Sequence, residues 1–556
     1  MEISSCWDMS QRIHPLLVNH IVERILERHA EQDPSLLLSL RQVCHVWNQV
    51  ASRSYRKHAT KHITFGKNFH RIADSDGVLD HIKNSELDFP LGNFTICPEV
   101  FQAENKGHIE TFLSGDCSLF LTSLVIRLDS RSTLCLQEFT DIQLPRLKKF
   151  IFDDRRPTPF AFDTIFPVIL KSAGNSLESL SIHRKQVELG YRRDIDEEDE
   201  MMARICDALE SVNLRNVQNL QIELVMSENF LSCLTSRFHS LRELSLCLKK
   251  ADFGGNSLHN LLQRQENTLE KLRLVGLCKN SLFQIDLPRL RNLRVIEIHG
   301  WCHNIPQVEF SPFSISHNFP NLTDLVLDTW SSDPSWCKFL QSDDKNSTLT
   351  RIKLPQELFD AQLVAHISTS FINLKVLTLH FQPSSLFECS AMFEKVFETL
   401  GESLEELVIL ESFCEFGSLT CIDSLLTGLS VEECGRMLRV NNYSGVIESD
   451  NVARRPSLLN LKSGLKCLDL SDVLKRQVVI TDVTGYMLLH MSGLDHLRIS
   501  RSKIRQNCFY QLHNKFPLDL CAEMNSNQHC KQDQHPLLEN ENNNGGKYGL
   551  GNCLVM

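Results

Sequence analysis

The sequence predicts an α/β solenoid, with short parallel strands on an inner face and helices outside, preceded by a small helical unit. Three observations predict it. A leucine spacing, L-x-x-L-x-L, returns along most of the chain; stretches with helical spacing separate its copies; and residues 13–60 follow a helical pattern of their own. A chain of 556 residues has room for both parts.

The repeated spacing is the strongest signal in the chain. Its clear copies begin at Leu177, Leu241, Leu269, Leu293, Leu322, Leu349, Leu374, Leu404, Leu465 and Leu494, and weaker copies begin at Leu121, Leu147 and Val217. From Leu241 to Leu404 successive copies lie 24 to 30 residues apart, which is typical of leucine-rich repeats. An alternating L-x-L segment predicts a strand that buries every second side chain.

The segments between the strands complete each predicted repeat. Residues 392–400, for example, have helical spacing and end at Gly401. Stacked strand–turn–helix units give a parallel inner sheet covered by outer helices. Leucine-rich repeats usually have asparagine or cysteine three positions after the last core residue, but this chain has residues such as Lys249 and Leu277 there. We therefore expect an irregular solenoid.

Two intervals between copies are too long for one repeat. The stretch after Leu177 contains an acidic run near residues 190–200, which we interpret as a solvated insertion. The interval from Leu404 to Leu465 spans about two periods, so it predicts either one degenerate repeat or a long loop.

The N-terminal helical unit has two apolar stripes. Leu17, Ile21 and Ile25 recur at spacing four on the first helix. Asp33-Pro34 is a typical start of the second. So small a cluster cannot bury its apolar faces alone, and it needs either the solenoid or another protein to cover them.

This unit resembles the F-box family. Residues 17–26 are similar to the opening L-P-x-E-I-L-x-x-I-L of that motif, and Val43-Cys44-x-x-Trp47 matches its second half, whereas Val18 and His20 depart from it. The resemblance implies docking on a Skp1-like adaptor and, through it, a cullin ligase. The residues that this resemblance implies contact the adaptor are Leu17, Ile21, Ile25, Leu26, Leu36, Leu37, Leu40, Val43, Cys44 and Trp47. The alternative is that this face caps the solenoid.

Composition and missing motifs argue against several classes of function. A net charge of -11 argues against general nucleic-acid binding. The 20 cysteines stand singly, with no C-x-x-C pair, so we expect reduced thiols in the cytoplasm or nucleus rather than zinc ligands. The sequence has no secretory-signal pattern, no membrane-spanning apolar run and no familiar catalytic motif. We expect a protein that is not an enzyme and has no cofactor or metal.

The inner strands supply the candidate substrate-binding residues. In a leucine-rich-repeat solenoid the residues between the core leucines face the ligand. The charged candidates are Lys271, Arg273, Asp324, Asp328, Arg351 and Lys353. Such a mixture of charges suits a protein partner better than a polyanion; ordinary surface charge is the alternative.

The C-terminal residues have no core-forming pattern and are expected to be disordered after about residue 525. Cys553-Leu554-Val555-Met556 matches a C-a-a-X box, which predicts farnesylation of Cys553. One lipid chain gives only weak, reversible membrane attachment. Peripheral membrane association is therefore expected only if Cys553 is modified.

The predicted organisation is a tail over 1–12, the F-box-like motif over 13–60, a connecting region over 61–117, the solenoid over 118–505 and a C-terminal extension over 506–556. It favours a substrate-recognition adaptor of an SCF-type ubiquitin ligase (Skp1, cullin, F-box protein). The alternative is a leucine-rich-repeat scaffold or inhibitor that acts without a ligase.

Overall fold

The fold is described from a computed structural model of the chain. It describes residues 63–65, 93–97, 113, 121–128, 142–154, 165–184, 195–224, 226–248, 255–277, 283–300, 308–310, 314–328, 348–355, 366–367, 369–381, 386–400, 403–411, 421–440, 455–461, 464–470, 480–499 and 504–516.

A single parallel sheet of 15 strands runs through the described residues. Its strands are β1 (Ile63–Phe65), β2 (Asn93–Ile96), β3 (Ser123–Leu128), β4 (Lys149–Asp154), β5 (Ser179–His183), β6 (Asn219–Glu223), β7 (Glu243–Cys247), β8 (Lys271–Leu277), β10 (Val295–Gly300), β12 (Asp324–Asp328), β13 (Arg351–Pro355), β14 (Val376–Phe381), β15 (Glu406–Glu411), β16 (Cys467–Leu470) and β17 (His496–Ile499). They follow one another in the sheet in chain order. A separate parallel pair is formed by β9 (Phe283–Ile285) and β11 (Val308–Phe310).

The register of the sheet follows the leucine spacing. Leu244 of β7 pairs with Leu272 of β8, which in turn pairs with Ile296 of β10. Every clear and weak copy of the spacing enters a strand, and the last two core positions of each copy are buried in that strand. The alternation therefore places one file of apolar side chains inside and the intervening residues on the opposite face.

Helices cover the apolar side of the sheet. They are α1 (Ile165–Ala173), α2 (Ile195–Glu210), α3 (Glu228–Arg237), α4 (Gly255–Arg264), α5 (Ile315–Asn318), α6 (Leu386–Thr399), α7 (Cys421–Thr427), α8 (Val431–Val440), α9 (Asp482–Leu488) and α10 (Gln506–Lys515), with a 3-10 helix at Leu458–Leu461. The first four pack against one another in chain order. Their apolar faces and the strand leucines form one continuous core. This is the predicted leucine-rich-repeat solenoid.

Phenylalanine replaces leucine at one end of that core. Phe150 and Phe152 of β4 and Phe166 of α1 are fully buried, and their ring centroids lie 5.2 to 6.0 Å apart. These larger side chains fill the space between sheet and helix that leucines fill elsewhere, and the aromatic contacts add stability beyond burial.

Three features differ from the sequence-based expectation. The sheet begins before residue 118, because β1 and β2 lie in the predicted connecting region. Residues 195–200 of the acidic run belong to α2, whose later residues Met201, Ile205 and Leu209 are buried. The interval from Leu404 to Leu465 contains α7 and α8, while β15 pairs directly with β16. Among its described residues it therefore holds a helical insertion, with no strand of a further repeat between β15 and β16.

A ladder of polar side chains joins neighbouring repeats at the position just before the first core leucine. Asn216 Nδ2 donates to the carbonyl of Asn175 at 2.7 Å, and Asn321 Nδ2 donates to that of Arg291 at 2.7 Å. Ser176, Ser240, Asn292 and Thr348 make equivalent bonds to the preceding repeat. These bonds satisfy turn carbonyls before the strands begin.

Candidate protein-binding face

The candidate site is the inner face, which consists of the strand residues that alternate with the buried core. At the N-terminal end of the sheet this face is closed, since Thr95, Ser123 and Val125 are 2%, 8% and 5% exposed. From β4 onward most alternating side chains are half-buried or exposed. Arg127, near the end of β3, is exposed beside Asp153 of β4, so the accessible face begins at the end of β3.

Two predicted residues, Lys271 and Arg273, lie on β8 and share one carboxylate. Lys271 Nζ lies 2.6 Å from Glu297 Oε1, and Arg273 Nε lies 3.5 Å from Glu297 Oε2. Glu297 comes from β10, the adjacent strand. The two cations are thus partly neutralised where the sequence alone suggested a basic pair.

The surroundings of Glu297 stabilise its charged form. The His299 ring nitrogen lies 3.6 Å from its Oε2. The nearby His299 ring, then the hydrogen bond from Lys271, holds the pKa of Glu297 at about 2, although burial opposes this shift. A carboxylate held this firmly by neighbouring donors is a fixed negative charge at neutral pH.

A second acid–histidine pair lies on β5 and β6. His183 Nδ1 is 2.9 Å from Glu223 Oε2, and Gln221 Nε2 donates to Glu223 Oε1 at 2.9 Å. The bond from His183 is the main cause that lowers the pKa of Glu223, and the positive charge of Arg273 acts in the same direction. Acidic and basic groups therefore alternate across this part of the face.

Between β4 and β8 the inner face forms a pocket of about 270 Å³. Its floor consists of short polar side chains, and charged side chains stand at its rim. Its lining includes Lys149, Ser179, Ser181, Asn219, Glu243 and Ser245, together with Ile151, Gln221, Lys271 and Arg273. Because the floor side chains are short and those on β8 are long, the surface is concave here.

The other predicted residues lie further along the sheet. Arg351 Nε of β13 is 3.6 Å from Asp324 Oδ1 of β12, so these two form an ion pair. Lys353 is half-buried on β13, and Asp328 ends β12. The structure brings β8, β10, β12 and β13 together as consecutive strands, so Lys271, Arg273, Asp324, Arg351 and Lys353 share one face. Their role in substrate binding stays a prediction.

Apolar side chains occupy the same face from β10 onward. Val295, Val326, Val376 and Val408 are half-buried on β10, β12, β14 and β15. The open face therefore combines an apolar part with a polar pocket, as protein-binding surfaces commonly do.

Sequence reasoning missed Glu297, Glu223 and His183. All three stand at alternating positions of recognised L-x-L strands, so the signal was present in the spacing. The predicted adaptor-binding residues between Leu17 and Trp47, and Cys553, lie outside the described residues.

Within the described ranges, no group of three or more histidine, cysteine, aspartate or glutamate residues could hold a metal ion. No helix in that part of the chain is long and apolar enough to cross a membrane.

Comparison with known proteins returned structural matches only. No family model matches the chain, and no curated protein matches it. Among solved structures, it is similar to that of the TLR13–ssRNA13 complex, at 14% identity and a TM-score of 0.26, covering 75% of this chain and 56% of that one. It is also similar to a leucine-rich-repeat protein of Leptospira interrogans, at 12% identity and a TM-score of 0.26, covering 82% and 99% of the two chains. The chain thus spans little more than half the length of the first of these structures.

Proposed function

We propose that this chain is a non-catalytic substrate-recognition adaptor of an SCF-type ubiquitin ligase. The observation that carries the proposal is the Val43-Cys44-x-x-Trp47 spacing, in a segment predicted to be helical ahead of a leucine-rich-repeat solenoid. The helical unit recruits a Skp1-like adaptor, and the solenoid holds the protein to be modified. Ubiquitin transfer belongs to the other subunits.

The inner face supports the second half of this proposal. Its mixed charges and half-buried valines lie on one continuous hydrogen-bonded sheet. A surface supported in this way loses little conformational entropy on binding. Because acids and bases alternate on it, it selects a partner by the arrangement of charge and not by net charge.

Co-purification from cells tests the adaptor role. We expect a Skp1-like protein and a cullin to be recovered with the full chain, and to be lost when Ile25→Ala and Trp47→Ala are combined, because the helical face loses two large apolar side chains. The matched control combines Ile372→Ala and Tyr510→Ala, which removes two apolar side chains that are 56% and 53% exposed on the solenoid. Retention of the Skp1-like protein by the Ile25/Trp47 variant would exclude the proposed binding mode.

The competing function is a leucine-rich-repeat scaffold or inhibitor whose N-terminal helices only cap the solenoid. Deletion of residues 1–60 separates the two. If these helices are a docking unit, the truncated chain keeps the melting temperature and solubility of the full chain and loses the Skp1-like protein. If they are a cap, the truncated chain melts at a lower temperature and aggregates, because the end of the apolar core is uncovered.

A further inference from the structure

Two charges of opposite sign that form no ion pair among the described residues stand in the pocket on β4 and β7, and Lys271 and Arg273 of β8 form the edge beyond Glu243. Lys149 is exposed on β4, and its register neighbours are Ser123 and Ser179, so no acid lies beside it. Glu243 is exposed on β7 beside Lys271, but the Lys271 ammonium is bound to Glu297 at 2.6 Å. Among the described residues, neither Lys149 nor Glu243 forms an ion pair.

The polar groups between these charges also lack partners. Within the described part of the chain, the side chains of Ser179, Ser181, Asn219 and Ser245 make no hydrogen bond. Ser181 is only 6% exposed. Hydroxyl and amide groups that are partly removed from water cost free energy until a ligand or water satisfies them. They can donate as well as accept, which suits a ligand that offers both, such as a polypeptide.

The spacing of the strands sets the length of that ligand. Neighbouring strands lie about 4.8 Å apart, so the three steps from β4 to β7 separate Lys149 and Glu243 by roughly 14 Å. An extended chain rises about 3.4 Å per residue and covers this distance in four residues. A helix rises only about 1.5 Å per residue and is about 10 Å wide, too broad for a pocket of about 270 Å³.

The alternation of side chains in an extended chain agrees with this length. Residues i, i+2 and i+4 point to the same side. Charged residues at i and i+4 therefore face Lys149 and Glu243 together, while residue i+2 faces the floor near Asn219. Charges three or five positions apart would point to opposite sides.

We propose that this pocket binds an extended segment of a protein partner in which an acidic and a basic residue stand four positions apart, with a small polar residue midway. The acid contacts Lys149 and the base contacts Glu243. The inference rests on the proposed function only in taking the ligand to be a polypeptide. It deepens that function by giving the chemical class of the recognised segment.

Fluorescence anisotropy with the purified full chain and labelled nine-residue peptides tests the proposal. The peptides carry one aspartate and one lysine at spacings of three, four and five, in both orders, in an otherwise serine and asparagine sequence. We expect one order at spacing four to bind at least tenfold more tightly than the other spacings. Equal affinity at all spacings, or no binding at millimolar peptide, would overturn the proposal.

Charge substitutions test which residues contact the charged side chains of the peptide. Lys149→Glu and Glu243→Lys should each weaken binding at least tenfold, and the two combined should restore it for the peptide of opposite order. The matched control is Lys148→Glu, because Lys148 Nζ is bound to Glu178 at 2.8 Å and does not line the pocket; its binding should be unchanged. Unaltered binding by Lys149→Glu would refute the assignment. Binding of a Skp1-like protein, measured on the same preparations, shows separately whether the proposed function holds.

Discussion

The carboxylate of Asp423 joins the helical insertion to the C-terminal repeats by hydrogen bonds. Asp423 lies in α7 and is completely buried. It accepts hydrogen bonds from Thr481 N at 3.0 Å and Thr481 Oγ1 at 2.7 Å, and from Thr484 N at 3.3 Å and Thr484 Oγ1 at 2.6 Å. These donors stand at the start of α9, whose N-terminal N–H groups would otherwise lack acceptors.

The size of the effect of Asp423→Ala follows from these contacts. Four hydrogen bonds at about 1 kcal/mol each amount to about 4 kcal/mol, and two backbone N–H groups are left buried without acceptors. Burial opposes the charge, and it raises the pKa of Asp423 despite the four donors. Removing the carboxylate therefore also removes a desolvation cost. We expect a net loss of about 3 kcal/mol in the free energy that holds α9 in place.

Hydrogen exchange measured by mass spectrometry over residues 481–488 tests this value. A loss of about 3 kcal/mol corresponds to exchange faster by roughly two orders of magnitude if α9 opens locally. The matched control is Asp495→Ala, since Asp495 is exposed and should change stability by less than about 0.5 kcal/mol. Exchange in Asp423→Ala equal to that in Asp495→Ala would refute the reasoning.

Four further predictions concern a turn, a helix, pH and the polar ladder. Gly428 has φ of +71° and a Cβ there would lie 2.3 Å from the carbonyl oxygen of Arg455, so Gly428→Ala should cost about 2 kcal/mol or more in urea unfolding. Gly435→Ala, with open space in α8, should gain about 0.5–1 kcal/mol. Since the pKa of Glu297 falls from 4.5 to about 2, its stabilisation should be complete above pH 4.5 and disappear toward pH 2, and Glu297→Gln should flatten this part of the stability curve. Asn321→Ala should lower the melting temperature by about 1 °C, consistent with the loss of about 1 kcal/mol from a solenoid of this length.

The strands could be predicted because their cause is local. Each L-x-x-L-x-L copy specifies which side chains are buried, and the parallel register of, for example, Leu377 with Leu407 follows once such copies stack. The polar ladder was missed because its bonds join residues a whole repeat apart, as Asn321 and Arg291 do. The helical insertion was missed because a leucine spacing carries no information about the segments that leave the sheet.

The candidate face was predictable only in part, because its contacts join residues on strands that are distant in the sequence. Lys271 and Arg273 could be placed on the inner face from their strand positions. That both contact Glu297 depends on β10, and not β9, lying beside β8. The short intervening strand β9 pairs with β11 instead, an arrangement that no periodicity in the sequence indicated. The pocket likewise arises from differences in side-chain length across five strands.

The central claim is that the helical unit before the solenoid recruits a Skp1-like adaptor. Isothermal titration calorimetry of the purified full chain with a recombinant Skp1-like protein tests it most directly. The proposal predicts one-to-one binding that the combined Ile25→Ala and Trp47→Ala substitutions abolish and the Ile372→Ala and Tyr510→Ala substitutions leave unchanged. Absence of binding at tens of micromolar protein, with the chain folded, would contradict it.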